Sequence, residues 1–245
     1  MKILIISDIH GNLEAIQSLS EDFNELWVLG DLVNYGPDPD EVVDFIRSKA
    51  SVLVRGNHDH AIGFNDDPQC SKPFRDMADA MKQYTRSVLS QAQKQFLREL
   101  PLKADLDIGG LRVALCHAVP SDPMYAYCLP DSDRWQRELE EAQSDVLFVG
   151  HTHIPFIRQI GRRMIVNPGS LGQPKGGSPA ARFAVWDTAR GIFGIELKSL
   201  VYPLERTIEK IHALPIERQI ARQLADVLRN GGIASASAEQ ALPSS

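Results

Sequence analysis

Apolar and polar positions follow two regimes along the chain. Up to residue 54, short apolar runs at 3–6, 26–29 and 52–54 are rich in Leu and β-branched residues. Runs of that length and composition predict buried strands. Between them, 12–20 and 40–48 carry a helical period, the second with Asp40 as its cap after Pro39. This βαβαβ opening predicts a parallel sheet covered by helices. Ligands of such sheets bind beyond the carboxyl ends of the strands.

The pattern then changes. Phe74, Met77, Met81 and Val88 are spaced for one amphipathic helix, and Ser90 opens a second that closes at Leu100-Pro101. Residues 60–101 therefore read as a helical insertion. Next, 105–108 and 111–117 form a hairpin around Gly109-Gly110. A helix over 131–143 and a buried strand at 146–149 follow. Strands with tight turns are expected at 156–160, 163–166, 182–187 and 192–197, which makes the second half antiparallel. C-terminal helices occupy 203–230. Ile216, Ile220, Leu224, Val227 and Leu228 form an apolar stripe there that packs on the chain's own core, and Gly231-Gly232 ends it. Residues 1–232 read as a single domain. The segment 233–245 lacks bulky residues and reads as a flexible tail.

Composition narrows the function classes. With 245 residues the chain buries a sizeable core, and its formal net charge is −6. No run of Lys or Arg exceeds a pair. This argues against a dedicated nucleic-acid surface, whose affinity comes mainly from phosphate neutralisation. A small anionic substrate held by local cations remains compatible. Cys70, Cys116 and Cys128 show no metal or redox spacing and read as free thiols of a reducing compartment. The N-terminus has no signal-peptide core and no segment approaches a membrane span, so the expected location is cytoplasmic.

The candidate chemistry sits where the apolar runs stop. The first run leads into Asp8 and His10, the second into Gly30-Asp31, the third into Arg55-Gly56-Asn57-His58-Asp59. The hairpin strand ends in Cys116-His117, and the strand after it in Gly150-His151-Thr152-His153. Each of these alone is what an ordinary turn or a hydrogen-bonded structural His looks like. All five at strand ends, holding five of the seven histidines, can converge at one sheet edge as a metal site requires. Imidazole and carboxylate without thiolate suits Mn, Fe, Zn or Ni. Seven candidate ligands exceed what one open site uses. Two divalent ions sharing a carboxylate is the economical solution.

The ordered set DxH, GD, GNHD, a single His and GHTH resembles the calcineurin-like metallophosphoesterases over about residues 1–200. NPGSLGQPKGG at 167–177 is similar to their small bacterial phosphodiesterase and diadenosine-tetraphosphatase-like branch. The resemblance implies an α/β sandwich of two mixed β-sheets flanked by helices. It implies that Asp8, His10 and His153 hold one ion, that Asn57, His117 and His151 hold the other, and that Asp31 bridges them. Manganese is the favoured metal. Ions roughly 3.5–4 Å apart supply a metal-bound hydroxide for in-line attack on a small phosphorylated molecule. His58 then faces the substrate phosphate as acid or charge stabiliser. Asn34 and Lys175 are candidate substrate or supporting residues. Asp59 reads equally as a support of the ligands or as a solvated carboxylate, and so does His60. Asn167 and Ser170 fit either the site or an Asn-Pro-Gly turn, and His212 reads as surface.

Two positions depart from the protein-phosphatase motif GDxxDRG. Its second Asp is Asn34 here and its Arg is Tyr35. The expected substrates are therefore phosphodiesters, nucleotides or dinucleoside polyphosphates. The rivals are a non-catalytic metal-binding scaffold, against which His58 speaks, and a nuclease, which the acidic balance disfavours.

Overall fold

The computed structural model describes residues 1–233. The expected tail lies outside the described residues, apart from Ile233. The first half holds β1 (Lys2–Ile6), α1 (Leu13–Gln17), β2 (Glu25–Val28), α2 (Pro39–Lys49), β3 (Val52–Leu53), α3 (Asn57–Phe64), α4 (Arg75–Val88) and α5 (Gln91–Glu99). After these come β4 (Lys103–Ile108), β5 (Leu111–Cys116), α6 (Arg134–Ala142), β6 (Val146–Phe148), β7 (Phe156–Ile160) and β8 (Arg163–Asn167). The chain continues through β9 (Ala181–Asp187), β10 (Ile195–Leu200), α7 (Leu204–Ala213) and α8 (Arg218–Asn230).

Two five-stranded sheets result, in the orders β10-β9-β1-β2-β3 and β4-β5-β6-β8-β7. The period of two in β1 sorts its side chains. Ile3 and Ile5 face the second sheet and pack with Trp27, Val113, Val146, Phe148 and Trp186. Leu4 and Ile6 face the helices, against Ile16, Val42, Val43, Ile46 and Leu97. The inter-sheet core centres on an aromatic triangle, with Trp27 6.0 Å from both Phe148 and Trp186 and the latter pair 5.8 Å apart. Trp135 and Leu139 of α6 cover the far face of the second sheet. The architecture is the expected sandwich of two mixed sheets between helical layers. No helix among the described residues is long and apolar enough to cross a membrane.

Several expectations require correction. The second half is not antiparallel throughout, because β5–β6 and β6–β8 pair in parallel. Helix α6 provides the crossover that such a return needs. The parallel opening also gains an antiparallel neighbour, β9 against β1. Helix α2 starts one residue earlier than its predicted cap. Pro39 occupies the first turn, Asp38 precedes it, and the Asp38 carboxylate takes Lys210 at 2.8 Å instead of capping the helix. Helix α1 ends at Gln17, short of the predicted 20. The last strand begins at Ile195 because 188–194 form tight 3₁₀ turns around Gly191, whose φ is 58°. Ile216 precedes α8 yet packs on the cluster of Met77, Met81 and Leu224 from α4 and α8. Helical structure starts at Asn57, not 60, which puts His58 and Asp59 in the first turn of a helix.

Candidate metal centre and active site

The strands β1, β2 and β3 run parallel in one sheet, and β5 and β6 in the other. Their carboxyl ends meet at one edge of the sandwich. The chain turns there abruptly. Seven of the ten described non-glycine residues with positive φ lie at this edge: Asp8, His10, Asp31, Asn34, Tyr35, His151 and His153. Such backbone costs roughly 1–3 kcal/mol per residue and clusters at functional sites, where it aims side chains inward. Gly56 is required for a different reason. Its φ of −88° is ordinary, but a Cβ there would lie 2.1 Å from Asp31 Oδ1.

All seven expected ligands are buried at this edge, none more than 3 % exposed. Their hydrogen bonds fix how they point. His10 Nδ1 donates to Val33 O (3.0 Å), His117 Nδ1 to Leu29 O (2.7 Å) and His153 Nδ1 to Gln173 O (2.5 Å). His151 instead uses Nε2 toward Tyr125 O at 3.2 Å. A carbonyl accepts only, so each contact puts a proton on that nitrogen and, in the neutral ring, leaves the other ring nitrogen as a lone pair. Those lone pairs face one another. His10 Nε2 is 3.3 Å from His153 Nε2, and His151 Nδ1 is 3.2 Å from His117 Nε2. The amide of Asn57 is fixed likewise: its nitrogen donates to Pro68 O at 2.7 Å, so Oδ1 points at His117 Nε2 (3.0 Å) and His151 Nδ1 (3.1 Å).

The carboxylates complete two groups. One donor atom from each of Asp8, His10 and His153 lies within 4.8 Å of the others, and the same holds for Asp8, Asp31 and His117. Asp31 Oδ2 stands between them, 3.7 Å from His10 Nε2 and 3.3 Å from His117 Nε2. Asp8 Oδ2 accepts from His151 N at 3.1 Å, while Asp8 Oδ1 is buried with no hydrogen-bond partner. An orphaned buried carboxylate oxygen beside converging lone pairs fits a divalent cation.

The electrostatics agree. Burial pushes His10 down to about 4 and His151 to about 3, with nearby carboxylates opposing, so both are neutral donors near pH 7. Burial also disfavours charge on His117, but Asp31 outweighs it and raises this pKa to about 9. Without a metal, His117 thus takes a proton where a cation would sit. Burial raises the carboxyls of Asp8 and Asp31, yet the imidazoles around them prevail and hold both below the usual range.

His58 sits beside these groups with a different pattern. Asn34 Oδ1 accepts from Tyr35 N at 3.0 Å, which leaves Nδ2 to donate to Ala78 O (3.2 Å) and His58 Nδ1 (2.8 Å). With Nδ1 accepting, the His58 proton resides on Nε2. Burial holds His58 well below its usual range despite Asp31, consistent with a neutral donor. Tyr35 is buried 4.9 Å from both the His10 and His58 rings. Lys175 Nζ lies 4.6 Å above the Phe74 ring. Burial lowers its pKa while the carboxylates of Asp8 and Asp31 oppose.

Other candidates fall elsewhere. The Asp59 carboxylate is buried and accepts only backbone N–H groups. His60 is partly exposed, 3.7 Å from Asp66, and His212 is exposed. Asn167 donates to Gly150 O at 2.7 Å, and Ser170 donates to Asp8 O at 2.7 Å, so both brace ligand-bearing turns. Tyr127, 4.2 Å from the His151 ring, was not expected from the sequence, and no motif singles it out.

A family model for the calcineurin-like phosphoesterase superfamily domain matches residues 1–191. The chain belongs to that superfamily. It is 31 % identical over 232 residues to protein MJ0912 of Methanocaldococcus jannaschii, covering 85 % of this chain and 91 % of the relative. It is 29 % identical over 196 residues to the phosphodiesterase YfcE of Escherichia coli K12, covering 74 % and 85 %. A local match, 45 % over 67 residues and 24 % of each chain, is to a symmetrical bis(5'-nucleosyl)-tetraphosphatase of Erwinia tasmaniensis. Among solved structures, a metallophosphoesterase from Sphaerobacter thermophilus superposes with TM-score 0.77 at 26 % identity, covering 92 % of this chain and 98 % of that one. The resemblance to the small phosphodiesterase and tetraphosphatase branch is thereby upheld. The protein is a phosphoesterase with candidate metal ligands at one sheet edge.

Proposed function

We propose that this phosphoesterase is a dinuclear metal-dependent hydrolase of small phosphorylated molecules. The observation that carries the proposal is the fixed set of tautomers. Four imidazoles donate outward to backbone carbonyls and turn their free lone pairs toward Asp8, Asp31 and Asn57. Asp8, His10 and His153 are assigned to one ion, Asn57, His117 and His151 to the other, and Asp31 to both. Two divalent ions, manganese foremost, supply Lewis acidity there and a water of lowered pKa. The chain's own residues do the rest. His58 donates from Nε2 to the phosphoryl or leaving oxygen, and Asn34 keeps its proton on that nitrogen. Lys175 draws the anionic substrate toward the edge. Substrates are phosphodiesters, nucleotides or dinucleoside polyphosphates, in keeping with the names of YfcE and the tetraphosphatase. Buried Tyr35 supports this choice, since it stands where the protein-phosphatase motif has its phosphate-gripping Arg. The reading takes residues 1–232 as one domain.

The decisive experiment combines metal analysis with turnover of bis(p-nitrophenyl) phosphate, with and without added manganese. Two ions per chain and manganese-dependent hydrolysis are expected, and Asp31→Ala is expected to lose the most of both. Two ions without turnover would identify a scaffold. One ion, unaffected by Asp31→Ala, would refute the dinuclear assignment. A panel of nucleotides and dinucleoside polyphosphates then ranks substrates by kcat/KM.

A further inference from the structure

Asp59 follows Asn57 and His58 in the chain, and its side chain turns away from both. The carboxylate is fully buried. Its Oδ2 accepts from Asp31 N at 2.8 Å and from Gly56 N at 3.0 Å, and its Oδ1 accepts from Leu32 N at 2.8 Å. These donors belong to two turns, one leaving β2 and one leaving β3. The stitching runs the other way as well, because His58 N donates to Asp31 Oδ1 at 2.9 Å. Each turn thus contributes a carboxylate that grips the backbone of the other. Asp31 has φ 55°, and its carbonyl accepts from Ile9 N at 2.8 Å and His10 N at 3.0 Å, which ties the turn to the exit of β1; toward β3 it is the Asp59 carboxylate that takes its N–H.

We propose that Asp59 is a positioning residue of the phosphoesterase, fixing the spacing between Asp31 and the Asn57–His58 pair through their backbones. It touches neither substrate nor ion. The proposal rests on the functional reading above, because the spacing matters only if those three side chains act together. A carboxylate is required. One oxygen serves two N–H groups and the other serves a third, and an amide cannot accept at both ends. Asp59→Asn sets its NH₂ either against Leu32 N or against both Asp31 N and Gly56 N, and displaces one turn. Asp59→Glu keeps the charge at the third helical position, where a carboxylate reaches back to the preceding N–H.

The test uses the full chain as wild type, Asp59→Asn, Asp59→Glu and a control, Asp145→Asn. Asp145 also accepts a backbone N–H, from Arg112 at 2.9 Å, but lies just before β6 begins, at the opposite end of that strand from the site. Manganese content, melting temperature, and kcat and KM on bis(p-nitrophenyl) phosphate are measured for each. Asp59→Asn is expected to lower kcat per metal-loaded chain by about 10–100-fold with KM little changed, the range for partners that orient metal ligands. Asp59→Glu is expected to restore most of that loss. The control is expected to change melting temperature alone. Undiminished kcat per loaded chain in Asp59→Asn, whatever its melting temperature, overturns the proposal. Should that variant not fold, hydrogen exchange on the wild type decides. The amides of Asp31, Leu32 and Gly56 are expected to exchange only on global unfolding, and rapid exchange there overturns the proposal. A wild type without manganese-dependent turnover refutes the functional reading instead, while metal content and exchange still judge the stitching.

Discussion

Gly56→Ala offers a sharp perturbation of the site, because it adds one methyl group at ordinary backbone angles. With φ −88° and ψ 171°, alanine costs nothing in conformation there. The cost is contact. The new Cβ would lie 2.1 Å from Asp31 Oδ1 and 2.4 Å from Asp31 N, where real Cβ atoms keep at least 3.0 Å. Either the carboxylate or the turn must therefore retreat by about 1 Å. Overpacking of this kind costs about 1–3 kcal/mol. For a domain of this size that lowers Tm by about 2–4 °C per kcal/mol. The functional loss is expected to be larger, since a misplacement of about 1 Å in a catalytic constellation costs about 100-fold in rate. The assay measures manganese per chain, kcat on bis(p-nitrophenyl) phosphate, and Tm. Gly109→Ala is the control: it forces alanine into φ 62° with no atom within 4 Å of its Cβ, in a hairpin turn. That costs about 1–2 kcal/mol without touching the site. The expected result is comparable loss of Tm in both variants and loss of metal and turnover in Gly56→Ala alone. Wild-type stoichiometry and kcat in Gly56→Ala would show that Asp31 is not held where it has been described.

His58→Ala is expected to lower kcat by about 10²–10⁴ with both ions retained, as loss of a positioned acid does; metal loss with activity preserved would exchange its role with a neighbour's. Asn34→Asp replaces the donor to His58 Nδ1 by an acceptor and places a negative charge beside the ring, so the imidazolium is favoured. The wild type donates from the neutral ring, whereas in Asn34→Asp the neutral ring holds its proton on Nδ1 and only the imidazolium donates from Nε2. A new alkaline limb of kcat is therefore expected at the raised His58 pKa, at constant metal occupancy, and a limb that persists in the double variant with His58→Ala belongs to another group. For metal-free protein, His117 with a pKa raised from 6.5 to about 9 stabilises the fold fully below 6.5, and that contribution is lost as pH rises through about 9. Chelator-treated protein is therefore expected to lose Tm across that window while manganese-loaded protein does not. Manganese affinity is expected to rise over the same window, since the ion competes with that proton; an affinity flat in pH would remove His117 from the ligand set.

The site was more legible in the sequence than the fold around it. Asp8, His10, Asp31, Asn57, His117, His151 and His153 each follow an apolar strand, and strand direction alone brings such residues to one edge. Their second partners were not legible. The carbonyls of Val33, Leu29, Gln173 and Tyr125 belong to residues whose side chains carry no signal, and backbone geometry alone selects them. Asp59 was ambiguous for the same reason, since it binds only main chain. Parallel pairing of β6 with β5 and β8 is not legible because short apolar strands look the same in either direction. Apolar Ile192 and Phe193 make the last strand look longer in the sequence than it is, since it begins at Ile195. Gly191 and Gly194 turn the chain there, and Phe193 is left 70 % exposed.

The position of β1 has a consequence for synthesis. It lies between β2 and β9 in its sheet, and Lys2 pairs with Asp187. A nascent chain cut after His153 therefore contains every proposed ligand and no completed sheet to carry them. At ribosomal speeds of about 5–20 residues per second, β1 waits on the order of ten seconds or more for its second neighbour. Throughout that time the strand Lys2-Ile3-Leu4-Ile5-Ile6 presents an open, apolar edge, the kind that recruits strands from other chains. Truncations that stop short of residue 187 are thus expected to aggregate even though their motifs are intact. Soluble expression of the phosphoesterase depends on a strand that carries none of its chemistry.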